Sequence, residues 1–200
     1  MAGTFKNALH CATKDFNRHV KPFLLALWIG CEIFSCEEQQ DPLLRALDNY
    51  AGIDYLILRE DVQQVIGLAS RIQRTGLNYQ TFTIRKARDN GSPTEYEKRI
   101  TAIAGGRLFP ALTLQAYLST DGEQLLQMGL ANTVDLFNFI RRNPSEQKHT
   151  NENQRGQASF FAVKWSDFER HYSLMTAKPA DEPNAWIVSR TGTQKKLLRS

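Results

Sequence analysis

The stretch IDYLILREDVQQVIGLASRIQ, residues 53–73, decides how this chain folds. Ile53–Leu58 is nearly continuous in apolar and aromatic side chains, the signature of a strand buried on both faces. Arg59-Glu60-Asp61 makes a polar turn, and Val62–Gln73 returns as a second strand, so the pair predicts an antiparallel hairpin. A strand's period of two places Arg71 and Gln73 on one side of that second run.

Working upstream, Glu37–Tyr50 (EEQQDPLLRALDNY) has its acids and Pro42 early and Leu43, Leu44, Leu47 and Tyr50 at helical spacing. This predicts a helix of roughly three turns, ended by Ala51-Gly52. Before it lies FLLALWIGCEIF, Phe23–Phe34, interrupted by Glu32 and shorter than the ~20 residues that cross a bilayer, so it reads as core. Residues 1–20 carry Phe5, Leu9, Phe16 and Val20 loosely spaced and predict a packed arm or helix.

Downstream, Thr75-Gly76 turns into Tyr79–Arg88, where Thr81, Phe82, Thr83 and Ile84 favour a third strand beside the hairpin. Residues 89–93 (DNGSP) read as a loop, and Thr94 with Glu97 as a capping box opening a helix. Phe109–Ser119 and Gln124–Ala131 form a further strand pair around Asp121-Gly122. Asn132 or Thr133 caps a helix through Arg142. Residues 143–157 read as an exposed loop, Ser159–Trp165 as a strand, and residues 178–200 as an extension with a docking strand at 186–188. The expected fold is α/β (α+β): a mixed, mostly antiparallel central sheet flanked by helices, in one domain over 1–200 with its core at about 37–142.

An apolar share of 42% and a charged share of 23% suit a folded domain rather than a disordered chain. The net charge of +4 favours a polyanionic partner without requiring one. Three cysteines are too few for a disulfide framework and predict a reducing, cytoplasmic setting. Cys31, Cys36, His10 and His19 lack the tight pairs of structural zinc sites. No membrane role is expected.

The order helix, strand, strand, strand, helix, strand, with Asp54 at the head of the first strand, resembles the PD-(D/E)xK nuclease-like superfamily over residues 37–119. The resemblance implies a restriction-endonuclease-like fold in which acids surround Mg²⁺. The ion would activate water and neutralise charge developing on the phosphate. Asp54 matches the strand aspartate, and Glu37, Glu38 or Asp48 the helical acid. On the next strand Ala69 and Arg71 stand where an acid and a lysine belong, with Ser70 between and Gln73 beyond. Arginine keeps the charge but is a poor base. The implied catalytic set is Asp54, Ser70, Arg71 and Gln73, and the implied metal ligands are Asp54, Asp48 and Glu38. Taken without the resemblance, Asp54 reads equally as an aspartate satisfying backbone N–H groups at the Gly52 turn.

A second signal is TFTIRKARDNGSPTEYEKR, residues 81–99. Arg85, Lys86, Arg88, Lys98 and Arg99, with Tyr79, Phe82 and Tyr96 nearby, suit a phosphate backbone passing over a stacking surface. The opening of the helix could also seat one phosphate on its N–H groups. Glu95 and Glu97 can instead pair with the cations and leave a solvated, salt-bridged face. The sequence therefore predicts a nucleic-acid-binding protein, DNA before RNA, that is either a Mg-dependent or a degenerate nuclease. One alternative is a non-catalytic regulator of a mobile element (an inhibitor, or an anti-defence or conjugation-control factor) that meets an acidic protein partner. Another is an enzyme gripping a phosphorylated small molecule with Arg85, Arg88 and Thr94.

Overall fold

In the computed structural model, which describes residues 11–37, 41–88, 93–143, 148–149 and 158–199, the hairpin at 53–73 forms as its pattern demands. Strands β2 (Tyr55–Arg59) and β3 (Gln64–Arg74) pair antiparallel from Tyr55 opposite Leu68 to Arg59 opposite Gln64. The turn is a single 3-10 turn, Glu60–Val62, closed by Gln63 at φ 50°. Strand β1 (Cys31–Ser35) pairs with the other edge of β2. It occupies the end of the apolar run at 23–34, where no separate strand stands out in the sequence.

Helix α1, residues 11–27, includes the π-helical turn Phe16–Val20 and covers this sheet with Phe16, Val20, Phe23 and Leu24. The Phe16 ring stacks on Tyr55 with centroids 3.6 Å apart. Helix α2 (Pro42–Ala46) is capped by Asp41, whose carboxylate accepts the N–H groups of Leu43 and Leu44, and it runs on as a π-helical turn to Ala51. Gly52, left-handed at φ 67°, ends it and turns the chain into β2.

The other edge of β3 is taken by β5 (Leu112–Leu118), and this pairing is parallel. A parallel neighbour requires a crossover of a dozen residues or more. Here residues 75–111 supply it, and they carry strand β4 (Thr81–Arg88) and helix α3 (Glu95–Ala104). Antiparallel strands β6 (Leu125–Asn132), β9 (Leu174–Pro179), β10 (Ala185–Arg190) and β11 (Lys196–Arg199) complete the main sheet. Among the described residues its order is β1-β2-β3-β5-β6-β9-β10-β11.

Strand β4 corrects one expectation. It does not lie beside the hairpin but pairs antiparallel with β8 (Ala158–Lys164), with the short β7 (Lys148–His149) beyond, in a second sheet. Both edges of β3 are already occupied, by β2 and β5. Phe82 and Ile84 have a separate core to fill, with Phe137 and Phe139 of helix α4 (Thr133–Arg142) and Trp165 and Phe168 of helix α5 (Trp165–Phe168).

The hairpin around Asp121-Gly122, the α4 cap at Asn132 and the capping box at Thr94 and Glu97 all stand where the sequence puts them. Within 178–200, β10 and β11 continue the main sheet, and Trp186 packs edge-on to Phe23. Residues 89–92, most of 143–157, and Phe5 and Leu9 lie outside the described residues. The fold is α+β, with a mixed, mostly antiparallel sheet flanked by helices. No helix among the described residues is long and apolar enough to cross a membrane.

Candidate anion-binding cleft

Because β4 pairs outside the main sheet and α3 packs against β4 and the end of α2, a cleft opens between β3, β4 and the start of α3. Its volume is about 250 Å³, and Asp54, Arg71, Arg85, Glu95, Lys98 and Arg99 supply the charges of its walls, with Ser70 beside them.

Asp54 is fixed from three directions. Its N–H donates to the Leu68 carbonyl at 3.0 Å, and its own carbonyl accepts from the Cys36 N–H at 2.8 Å. Its carboxylate accepts the Ser70 N–H at 2.6 Å, so the residue is clamped to β3 rather than to the Gly52 turn. Burial pushes its pKa up to about 7, with Asp48 and Glu95 adding to the rise and the Ser70 N–H and Arg99 opposing it. A carboxyl so placed is divided between its charged and neutral forms at neutral pH.

The cations arrive from three elements. Arg71 of β3 and Arg85 of β4 both lie over the Phe160 ring, 4.7 and 5.7 Å from its centroid, so two guanidiniums share one aromatic ring. Burial lowers the Arg71 pKa, and Arg85 and Arg99 add to that against Glu95. Lys98 and Arg99 come from the first turns of α3. The Lys98 ammonium donates to the Asn49 carbonyl at 3.1 Å. Arg99 is only 4% exposed, with its guanidinium 5.7 Å from the Phe137 ring centroid. Its Nη1 stands 2.8 Å from the Glu95 carboxylate, yet no N–H of Nη1 or Nε points along a hydrogen bond to any protein acceptor. Gly52 lies against this guanidinium, where a Cβ would stand in ordinary contact, 3.7 Å from Nε and Nη2.

Gln115 is a lining residue that the sequence reading passed over. It is buried at the centre of β5, where its carbonyl oxygen accepts from the Thr83 hydroxyl at 2.9 Å and its amide donates to Gln73 at 3.3 Å. A glutamine inside the apolar run FPALTLQAYLS was the available signal, because a buried amide must find partners. Gln73 thus reaches the cleft only through Gln115.

The remaining sequence candidates, Phe82 excepted, do not line the cleft. The ring of Tyr96 stacks on Phe137 and tilts onto Phe161, so its faces are spent in the core. Phe82 is buried. Lys86 is the extra residue of a bulge in β4 and sits over Phe161 on the opposite face from Arg85. Arg88 ends β4 and is placed by its backbone alone. Asp48 is half-buried behind the cleft, its pKa raised by burial and opposed by Lys98. Glu37 is not a lining residue, and Glu38 lies outside the described residues. The capping box uses the Thr94 and Glu97 N–H groups, which removes them as donors to a ligand at the helix opening.

Mg²⁺ wants hard carboxylate oxygens in an octahedral set. Of the two carboxylates in the lining, Asp54 already accepts from Ser70 and is partly protonated near pH 7, and Glu95 is ion-paired with Arg99, while Ala69 stands where the further acid would be needed. Among the described residues no three His, Cys, Asp or Glu side chains gather as a metal site. This donor set does not fit Mg²⁺, and it is complementary to an anion. Comparison of the chain with family models, with curated proteins and with solved structures gave no match.

Proposed function

We propose that the cleft holds a backbone phosphate and that the protein binds nucleic acid through it, as a degenerate relative of the PD-(D/E)xK nucleases. The observation that carries this reading is the convergence of Arg71, Arg85, Lys98 and Arg99 on one cleft, with Arg99 buried, its Nη1 ion-paired with Glu95 and its Nε without a protein hydrogen-bond partner. Gathering like charges in one partly buried cleft is costly, and an anion held among them would relieve that cost. Arg71 and Arg85, steadied on Phe160, would flank the same anion.

The family relation is supported by the arrangement around Asp54. The aspartate heads β2, the next strand runs antiparallel beside it, and a helix-bearing crossover leads to a strand parallel to β3. Ala69 and Arg71 leave the centre short of a carboxylate, so the reading is of binding without hydrolysis.

Anisotropy titrations of labelled DNA over a salt series test it. Wild-type affinity should fall steeply with salt, and Arg71→Ala with Arg85→Ala should flatten the slope by about one for each phosphate left unneutralised. No cleavage should appear with Mg²⁺ or Mn²⁺. A folded double variant that binds as wild type does would transfer the function to a protein partner.

A further inference from the structure

Beside the cleft runs a second depression, a groove of about 890 Å³ between α2 and α3. Its apolar walls include Leu43, Tyr50 and Leu108, which are 68%, 82% and 69% exposed. Ala51, Pro93 and Lys98 line both the groove and the cleft, so the two are continuous and Lys98 stands where they join. Arg107 lies farther along the groove, and the carboxylate of Glu97 is tied to Thr94.

A cationic cleft opening directly into an apolar groove matches a ligand with an anionic part joined to a flat apolar part. Resting on the phosphate reading above, we infer that the groove seats an unpaired nucleobase against Tyr50, so that the bound polymer is single-stranded at this point. A duplex keeps its base faces stacked inside and would offer Tyr50 only sugar and phosphate, leaving the apolar wall in water. An unpaired base presents a face to any aromatic ring, whatever its sequence. Of the aromatics that the sequence offered for this role, Phe82 and Tyr96 are committed to the core, and Tyr79, though 56% exposed, stands edge-on to Tyr117 and lines neither depression, whereas Tyr50 is open beside the cleft.

The experiment compares three probes with equal numbers of phosphates: a single-stranded oligonucleotide, its duplex, and an abasic oligomer. The single strand should bind about tenfold tighter than the abasic chain, on the scale of one base–aromatic stack. It should also bind tighter than the duplex. Tyr50→Ala should lower single-strand affinity to the abasic level and leave abasic binding unchanged, while Tyr50→Phe keeps wild-type behaviour. The exposure of Tyr50 makes truncation safe for folding, and a thermal melt confirms it.

Equal binding of all three probes, or no effect of Tyr50→Ala, would overturn the groove assignment. The phosphate reading would survive that result if Arg71→Ala and Arg85→Ala still weakened binding. No binding of any probe would sink both. A dimer that Tyr50→Ala dissolves would assign the groove to a second copy of the chain and likewise overturn the inference.

Discussion

Asp54 sits where a carboxylate can help or hinder an anion, and its protonation decides which. Its folded pKa of about 7 lies above the ordinary ~3.9 of an unfolded aspartate. Any stability linked to this group is therefore fully present below the unfolded value and lost as pH rises through 7. Asp54→Asn keeps an oxygen for the Ser70 N–H and removes the charge, so its melting temperature should exceed wild type most at pH 8. The gain should shrink toward pH 4, and melts across that range check it. An anion in the cleft favours the neutral acid, so DNA affinity should rise as pH falls from 8 through 7, and the variant should lose that dependence. A variant destabilised at pH 8 would reverse this account.

At this scale the sequence was informative about chemistry and weak on direction. Arg71, Arg85, Lys98 and Arg99 stand in two separate runs, yet all reach one cleft. Lys86 and Tyr96 belong to the same runs and point elsewhere, because a bulge in one strand and the packing face of one helix decide orientation.

Elements whose signals are local were legible: the β2–β3 hairpin from its apolar run and polar turn, α3 and α4 from their caps, and β5–β6 from Asp-Gly. Partnership was not. Thr81–Arg88 has strong strand propensity, but its ladder is with β8, and nothing near residue 81 announces Ala158–Lys164. Strand β1 is hidden because it continues an apolar run begun by a helix. Close packing between the two sheets gives one sharp test. A Cβ at Gly129 of β6 would lie 2.6–2.7 Å from the Trp165 ring, and that ring is held against Phe82 and Tyr117. Gly129→Ala should therefore destabilise the protein by about 1–3 kcal/mol in urea unfolding, the ordinary cost of overpacking. An unchanged midpoint would mean that the Trp165 ring yields freely.

Across the whole molecule, α1 is tied to the far end of β3 by a pair of charge-assisted bonds. The Arg74 guanidinium donates to both Asp15 oxygens, at 2.7 and 2.6 Å, and the Asp15 side chain is 6% exposed. Asp15→Ala should cost about 1–3 kcal/mol by calorimetry, because it strands a partly covered guanidinium. DNA binding should be untouched, since neither residue lines the cleft. The mixed sheet at this scale followed from the strand pattern, but the division into two sheets depends on pairings distant along the chain. That division also sets a timetable for a chain emerging from the ribosome. Arg71, Arg85 and Arg99 are all made before residue 100, but among the described residues β4 has its main ladder with β8, which ends at Lys164. At ordinary elongation rates seconds pass between the two strands. Throughout that interval the nascent chain carries its cations without the wall that gathers them, so the phosphate grip proposed for the cleft would arrive late in synthesis and all at once.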